Sequence, residues 1–268
     1  MKQAKLILLR HGQCEGGDIL RGKTDVTLSP LGWANMETAL KNLDLVRQAP
    51  SLSIYSSPLL RCRQFAEETV ADINQSGLFA LNLSEQVAKS TTVPPLEIKL
   101  MPEFQEIDFG DWDGQTFDAL YQNDPKALDL YWDNPWGNTP PKGEPMTEFE
   151  ARVTSGLTEV TQQLESKLLL NQKQQESIKL SQENIATALI VTHGGVIRHI
   201  IGHILGLERC KGLYAQLAID YAASVVIDVY WPEAQSLSHN SIDGNSVNAD
   251  KKVASDKIKP VYRLNWPS

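Results

Sequence analysis

Two histidines, two arginines and a group of carboxylates stand where short apolar runs of this chain stop. Arg10-His11-Gly12 follows Leu6 to Leu9. Ser56-Ser57-Pro58 follows Leu52 to Tyr55, with Arg61 just beyond. Glu103, Glu106 and Asp108 lie in PEFQEIDFGDWDG, after Leu96 to Leu100, and Thr192 leads into His193-Gly194-Gly195. Arginine forks bind phosphate oxygens in pairs, and glycine-flanked backbone N–H groups add further donors. A neutral imidazole is nucleophilic near pH 7 and can take a phosphoryl group, splitting one hard displacement into two. A second imidazole, protonated beside the phosphate, would offset charge on the transferring group. A carboxylic acid can protonate the leaving alkoxide and afterwards activate water. The set suits a phosphomonoester, and that chemistry needs no metal or other cofactor.

These residues meet only if the apolar runs are parallel strands whose carboxyl ends share one edge. The runs Leu6 to Leu9, Leu52 to Tyr55, Leu96 to Leu100, Ala186 to Thr192 and Ser224 to Trp231 read as strands buried on both faces, and Pro260 to Trp266 as a last strand. Between them lie segments of helical period. SPLGWANMETALKNL starts at Ser29 as N-cap with Pro30 in the first turn and puts Trp33, Met36, Leu40 and Leu43 on one face. SPLLRCRQFAEETVADI repeats that start at Ser57-Pro58, and TEFEARVTSGLTEV opens with a capping-box pattern, Thr147-x-x-Glu150. GGVIRHIIGHILG begins at a double glycine and ends at Gly206. Alternating strands and helices imply an α/β fold with a mostly parallel central sheet, in which ligands bind beyond the strand carboxyl ends, often at helix N-termini. Gly12 is expected to let the backbone turn closely past the phosphate. Residues 102–146, rich in Trp, Tyr, Pro and Asp, read as an irregular cap insertion. Residues 232–258 read as a polar loop, and Asn171 to Asn184 as an extension of the long helix or its exit.

Composition narrows the partners. The chain has 268 residues and a formal net charge of −8, with no Lys/Arg block to track a nucleic acid. An anionic substrate must therefore be caught by a local cluster against an unfavourable overall field. Cys14, Cys62 and Cys210 are odd in number and lack CxxC spacing, so neither a disulfide framework nor a zinc knuckle is suggested. The first apolar run is too short for a signal segment or a membrane span. The expectation is a single cytoplasmic domain over 1–268, monomer or homodimer, with a small-molecule phosphomonoester as partner and neither nucleic acid nor membrane.

LLRHG, SSPLLRCRQFA, EIDFGDWDG and VTHGG occur in the order seen in the histidine phosphatase superfamily, the phosphoglycerate mutase-like proteins, and residues 5–230 resemble them. The resemblance implies a three-layer α/β/α sandwich of about six strands with a cap insertion over about 102–150. It implies His11 as the phosphorylated nucleophile, Arg10 and Arg61 as phosphate clamps, His193 completing the pocket and Glu106 as proton donor, with Gly194 beside the phosphate. Where relatives often carry Glu and then Ser or Thr after RHG, this chain has Gln13 and Cys14, and Gly17 replaces a phosphate-contacting Asn. Gln13 and Arg21 are the candidates for the pocket rim, Arg21 supplying the missing contact from its loop. FGDWDG, NPWG and PPKGEPMTEFEARV further resemble bacterial α-ribazole-5′-phosphate phosphatases of cobalamin nucleotide-loop assembly, with Asp113 in place of a Glu. Other readings are a broad-specificity phosphatase, a phosphoglycerate mutase-type transferase and a non-catalytic phospholigand-binding protein.

Some chemistry-bearing residues have simpler readings. His199 and His203 are four apart on a helix, a possible metal pair. They fit a helix flank among Val196, Ile197, Ile200, Ile201, Ile204 and Leu205 and are read as structural. Cys14 is read as a small packing residue. Trp112, Tyr121, Tyr131, Trp132 and Trp136 read as cap core, with one or two of them available to stack on a flat substrate group.

Overall fold

The structure, a computed structural model, describes residues 2–43, 45, 51–75, 95–178, 185–207, 209–232 and 259–265. Strand β1 (Lys2–Arg10) leads to helix α1 (Pro30–Asn42), β2 (Leu52–Ser56), α2 (Leu60–Gln75) and β3 (Ile98–Leu100). The cap insertion carries two short 3₁₀ turns, α3 (Phe117–Asn123) and α4 (Pro125–Asp133). Then come α5 (Met146–Ile178), β4 (Ala186–Thr192), α6 (Gly194–Leu205), α7 (Lys211–Gln216), β5 (Ser224–Trp231) and β6 (Val261–Asn265). The six strands form one sheet in the order β3-β2-β4-β1-β5-β6. β1, β2, β3 and β4 are mutually parallel, while β5 runs antiparallel to β1 and β6 antiparallel to β5.

Alternation along the strands builds a core on each face. Leu6 and Leu8 of β1 and Ala188 and Ile190 of β4 pack with Val153, Leu157 and Val160 of α5 and Val196, Ile197 and Ile200 of α6. Ile7, Leu9, Ile54, Leu189 and Val191 point the other way, onto Met36 of α1 and Phe65, Ala66 and Val70 of α2. Both faces are apolar because both are covered, as a parallel sheet requires. Each large side chain so buried contributes about 1.5–3 kcal/mol. No helix among the described residues is long and apolar enough to cross a membrane.

The helix starts depart from expectation in two places. α1 begins as read, with Ser29 Oγ accepting from Gly32 N–H at 3.0 Å. Ser57-Pro58 repeats that cap only in part. Ser57 Oγ accepts from Leu59 N–H at 3.3 Å, but α2 starts at Leu60, whose N–H is taken by Asp25 Oδ1 at 2.6 Å, and the same Oγ is shared with His193 Nε2. The capping box at Thr147 is also unused, since α5 starts one residue earlier and Glu150 accepts from Trp136 Nε1 at 2.9 Å. A partner from another element outcompetes the local cap in each case. β3 is shorter than the run Leu96 to Leu100, because the Asn74 amide takes both backbone groups of Leu96. α5 extends to Ile178, and 179–184 lie outside the described residues, as does the expected polar loop beyond Pro232.

The close approach made by Gly12 is to another helix. A Cβ on Gly12 would stand 2.2 Å from Gly32 O, and one on Gly32 would stand 2.0 Å from Gln13 O. Two backbones cross here without side chains between them, which seats α1 against the loop after β1. Gly32→Ala, whose clash is with backbone atoms, is expected to lower stability by about 2 kcal/mol or more. A urea midpoint equal to that of the parent would show that this crossing has slack.

Candidate active site

β1, β2, β3 and β4 finish in step, with Arg10 opposite Thr192, Ser56 opposite Val191 and Ser56 opposite Leu100. The next residues extend the same edge: His11 N–H donates to Thr192 O at 2.9 Å and Ser57 N–H to Val191 O at 3.0 Å. Arg10, His11, Arg61, Glu106, His193 and Gly194 are brought together here, as the strand-end pattern required.

His11 is 5% exposed. Its Nδ1 lies 2.8 Å from Gly12 O, an atom that can only accept, so Nδ1 carries the proton and Nε2 keeps its lone pair. Burial, and next the charge of Arg61, hold this imidazole well below the ordinary value of 6.5. His193 is fully buried, its ring edge-on to that of His11 at 5.2 Å between centroids. Arg61 Nε–H donates to His193 Nδ1 at 3.2 Å, which places the His193 proton on Nε2, 2.8 Å from Ser57 Oγ. Burial and Arg61 lower this pKa as well, so His193 is a neutral ring while no phosphate stands beside it.

The two arginines are held differently. Arg61 is fully buried and its terminal nitrogens donate to Thr24 O at 2.9 Å and Gly22 O at 2.6 Å. A guanidinium has five N–H donors, so three are committed to the protein and two are left. Arg10 donates from Nη1 to Ile219 O and lies with Cζ 4.2 Å from the centre of the Tyr221 ring. Arg10 Nε is buried without a partner among the described residues, and a Cβ on Gly194, the first residue of α6, would stand 3.4 Å from it. An orphaned buried donor beside a helix N-terminus marks a place for an anionic oxygen.

Glu106 is anchored through both oxygens. Oε2 accepts from Gly195 N–H at 3.0 Å and Oε1 from Ile107 N–H at 3.1 Å. A Cβ at 195 would meet Oε1 at 2.3 Å, so a side chain there would push the Glu106 carboxylate from this place. Arg152 fixes the segment leading to Glu106. It makes a two-pronged ion pair with Glu144, at 2.6 and 2.8 Å, and donates to the carbonyls of Glu103, Gln105 and Glu106. Glu103 and Asp108 do not join the centre: Asp108 pairs with Lys23 at 2.7 Å.

The rim candidates serve their own loops. Gln13 is exposed, and its carbonyl accepts from Ser29 N–H at 2.9 Å. Arg21 Nη2 donates to Gly17 O at 2.8 Å and Glu15 O at 3.2 Å, tying the loop together, while its charge still acts on His11. Cys14 is buried, with Sγ 3.5 Å from His11 Nδ1, and burial raises its pKa. His199 is a buried flank residue bonded to Thr154 Oγ1 at 2.9 Å and near Tyr214 OH at 3.3 Å. Among the described residues no group of three His, Cys, Asp or Glu is placed to hold a metal ion. Trp112 and Tyr131 are core, Tyr121 is exposed, and Trp132 lines a cavity beside Glu106.

Three contributors escaped the sequence reading, and a fourth was named there without its role. Ile219 and Tyr221 arrive from the turn before β5, and Arg198 enters from the second turn of α6. The fourth is Asp113, which accepts from Lys23 N–H at 2.7 Å, Thr24 N–H at 2.9 Å, Gly22 N–H at 3.3 Å and Phe109 N–H at 3.4 Å, and from the Thr24 hydroxyl. It therefore holds the loop whose carbonyls hold Arg61. Only its acidic type inside a Gly- and Trp-rich turn could have hinted at that role.

Paired imidazoles and unneutralised guanidiniums at the carboxyl edge of a mostly parallel sheet define a phosphate-handling α/β protein. Residues 6–241 match the family model of the histidine phosphatase superfamily (branch 1), and the chain belongs to that superfamily. A bifunctional protein of Mycobacterium tuberculosis is 26% identical over 235 residues, 87% of this chain and 52% of that protein. The chain thus spans about half the length of the first curated relatives it matches. Among solved structures, a mycobacterial glucosyl-3-phosphoglycerate phosphatase shares the fold with a TM-score of 0.61 and 20% identity, over 86% of this chain and 92% of that one. The α-ribazole phosphatase of Shigella flexneri does so with a TM-score of 0.54 and 20% identity, over 83% and 89%.

Asp113→Ala is expected to leave the Lys23 and Thr24 amides without acceptors and to cost about 2–3 kcal/mol. Hydrogen exchange at those two amides should accelerate, and unchanged protection there would remove Asp113 from its place in the Arg61 support.

Proposed function

We propose that this protein hydrolyses small phosphomonoesters through a phosphohistidine on His11. The observation that carries the reading is the tautomer of His11. Gly12 O fixes the proton on Nδ1, burial keeps the ring neutral, and Nε2 keeps its lone pair in a site where the charges of Arg61 and Arg10 act on the ring. In the first step Nε2 bonds to phosphorus while the ester P–O bond breaks, and Glu106 gives its proton to the leaving alkoxide. Each Glu106 oxygen has about two lone pairs and spends one on a backbone N–H, so one remains to carry that proton. In the second step water attacks phosphorus, the P–Nε2 bond breaks, and Glu106 takes the water's proton. Arg10, Arg61 and the start of α6 neutralise the phosphoryl oxygens throughout.

For substrate we favour α-ribazole 5′-phosphate. Support comes from the likeness of FGDWDG and PPKGEP to the phosphatases of that ester, and from aromatic walls beside Glu106. Phe109, Tyr131, Trp132 and Tyr214 line a cavity of about 80 Å³ there, room for the first atoms of a leaving group. One observation favours a second reading: Arg198 lines the same cavity. A cation on the leaving-group side suits an ester that carries another acid, as glucosyl-3-phosphoglycerate does.

Purified protein should release phosphate from α-ribazole 5′-phosphate without added metal and trap label from labelled substrate on His11. Label that persists in His11→Ala sinks the assignment. A panel with 3-phosphoglycerate, glucosyl-3-phosphoglycerate and fructose bisphosphates separates the substrate readings, and phosphoryl transfer to a sugar-acid hydroxyl in place of phosphate release indicates a mutase. Glu106→Gln is expected to cost on the order of 100-fold on alkyl phosphates and far less on nitrophenyl phosphate, whose leaving group needs no proton. Equal losses on both would count against Glu106 as the proton donor.

A further inference from the structure

We infer that Tyr221 is a positioning residue for phosphate binding, its ring face fixing the guanidinium of Arg10. The inference rests on the reading of Arg10 as a phosphate clamp. Tyr221 lies in none of the motifs at the strand ends. It reaches the site because β5 runs antiparallel to β1, so the turn before β5 arrives at the edge where β1 stops. That turn is tied to β1 by backbone bonds. Arg10 N–H donates to Ala223 O at 2.9 Å and Ala222 N–H to His11 O at 3.2 Å. Ala222 adopts φ 59°, a left-handed conformation that a non-glycine residue takes only when its surroundings impose it.

The side chain of Arg10 has few other supports. Its Nη1 reaches Ile219 O, and among the described residues its Nε has no partner and no carboxylate pairs with it. The Tyr221 ring lies 4.2 Å from its Cζ and stacks as a cation–π contact. A carboxylate in that place would hold Arg10 more firmly but would also neutralise it. An aromatic face orients the guanidinium while leaving its charge and its Nε–H for the phosphate. The same ring stands 5.7 Å from that of His11, so it walls the nucleophile as well. The ring's hydroxyl makes no hydrogen bond to a described residue, which assigns the work to the face. Tyr221 is 42% exposed, so changing it should leave the core intact.

Inorganic phosphate, the product in this reading, serves as the probe, with affinity measured by calorimetry on the full chain. Tyr221→Phe and Tyr221→Trp keep a ring face and should hold phosphate affinity and KM within about twofold. Tyr221→Leu keeps apolar bulk without the face and should weaken both about 3- to 10-fold, the range of a partly exposed cation–π contact. In an Arg10→Gln background the same Leu substitution should change phosphate affinity by less than about twofold. Phe behaving like Leu, or an undiminished Leu effect without Arg10, would overturn the inference, because either would trace the effect to the hydroxyl or to general packing. Melting temperatures within a few degrees of the parent keep the variants comparable. Calorimetry separates the failures. If phosphate binds and the Leu effect is coupled to Arg10 while no ester is hydrolysed, Tyr221 stands and the hydrolase reading falls. If phosphate does not bind the parent protein, the inference falls.

Discussion

A fully buried guanidinium with no carboxylate partner among the described residues is the constraint on which this site depends. Removing an ion from water costs several kcal/mol unless its donors are satisfied. Arg61 is held by two carbonyls, Gly22 O and Thr24 O, and by one imidazole nitrogen. Those partners take three of its five N–H donors without cancelling its charge and leave two for a ligand. The carbonyls must be held rigidly to do so, which is the service of Asp113, anchored in the cap insertion and bonded to residues 22–24. The cap insertion thus acts on the phosphate pocket from behind, through a loop that carries no catalytic group.

The same charge sets the state of both imidazoles. His11 and His193 are held neutral first by burial and then by Arg61, and hydrogen bonds fix opposite tautomers: the proton is on Nδ1 of His11 and on Nε2 of His193. A neutral His11 suits nucleophilic attack. A neutral His193 contributes no positive charge until something lowers the cost of protonating it, and a phosphate dianion between the arginines has the sign to do that. In the proposed mechanism the site then becomes more cationic as its substrate arrives, an order of events that an isolated sequence motif does not convey.

How much of this was legible in the residues follows from strand direction. For β1 to β4 the chemistry follows each apolar run, one or two residues on for His193 and His11 and six for Arg61 and Glu106, and parallel strands put those ends on one edge, so the four could be grouped from the sequence. β5 reverses that logic. Its contribution precedes the run Ser224 to Trp231, so Tyr221 and Ile219 look like ordinary residues of a connecting turn. The local cap signals misled for a related reason. Ser57 and Thr147 fit helix starts by type, but Asp25 takes the start of α2 and Ser57 is needed by His193. A short-range rule ranks partners within a few residues; the fold chooses among all that arrive.

In the proposed mechanism the two arginine clamps divide their work by how they are held. Arg61 is locked by three hydrogen bonds in a fully buried place and, in that mechanism, sets where the phosphate sits. Arg10 is half-buried, with one carbonyl and an aromatic face as supports, and a ring face constrains direction less sharply than a hydrogen bond does. A phosphoryl group moving from ester oxygen to His11 Nε2 changes the position of its oxygens during the reaction. One fixed guanidinium and one that can follow suit such a displacement better than two rigid forks. That argument places adaptability at Arg10, on the side of the site where β5 meets β1, and rigidity at Arg61, where the cap insertion supports the loop from behind.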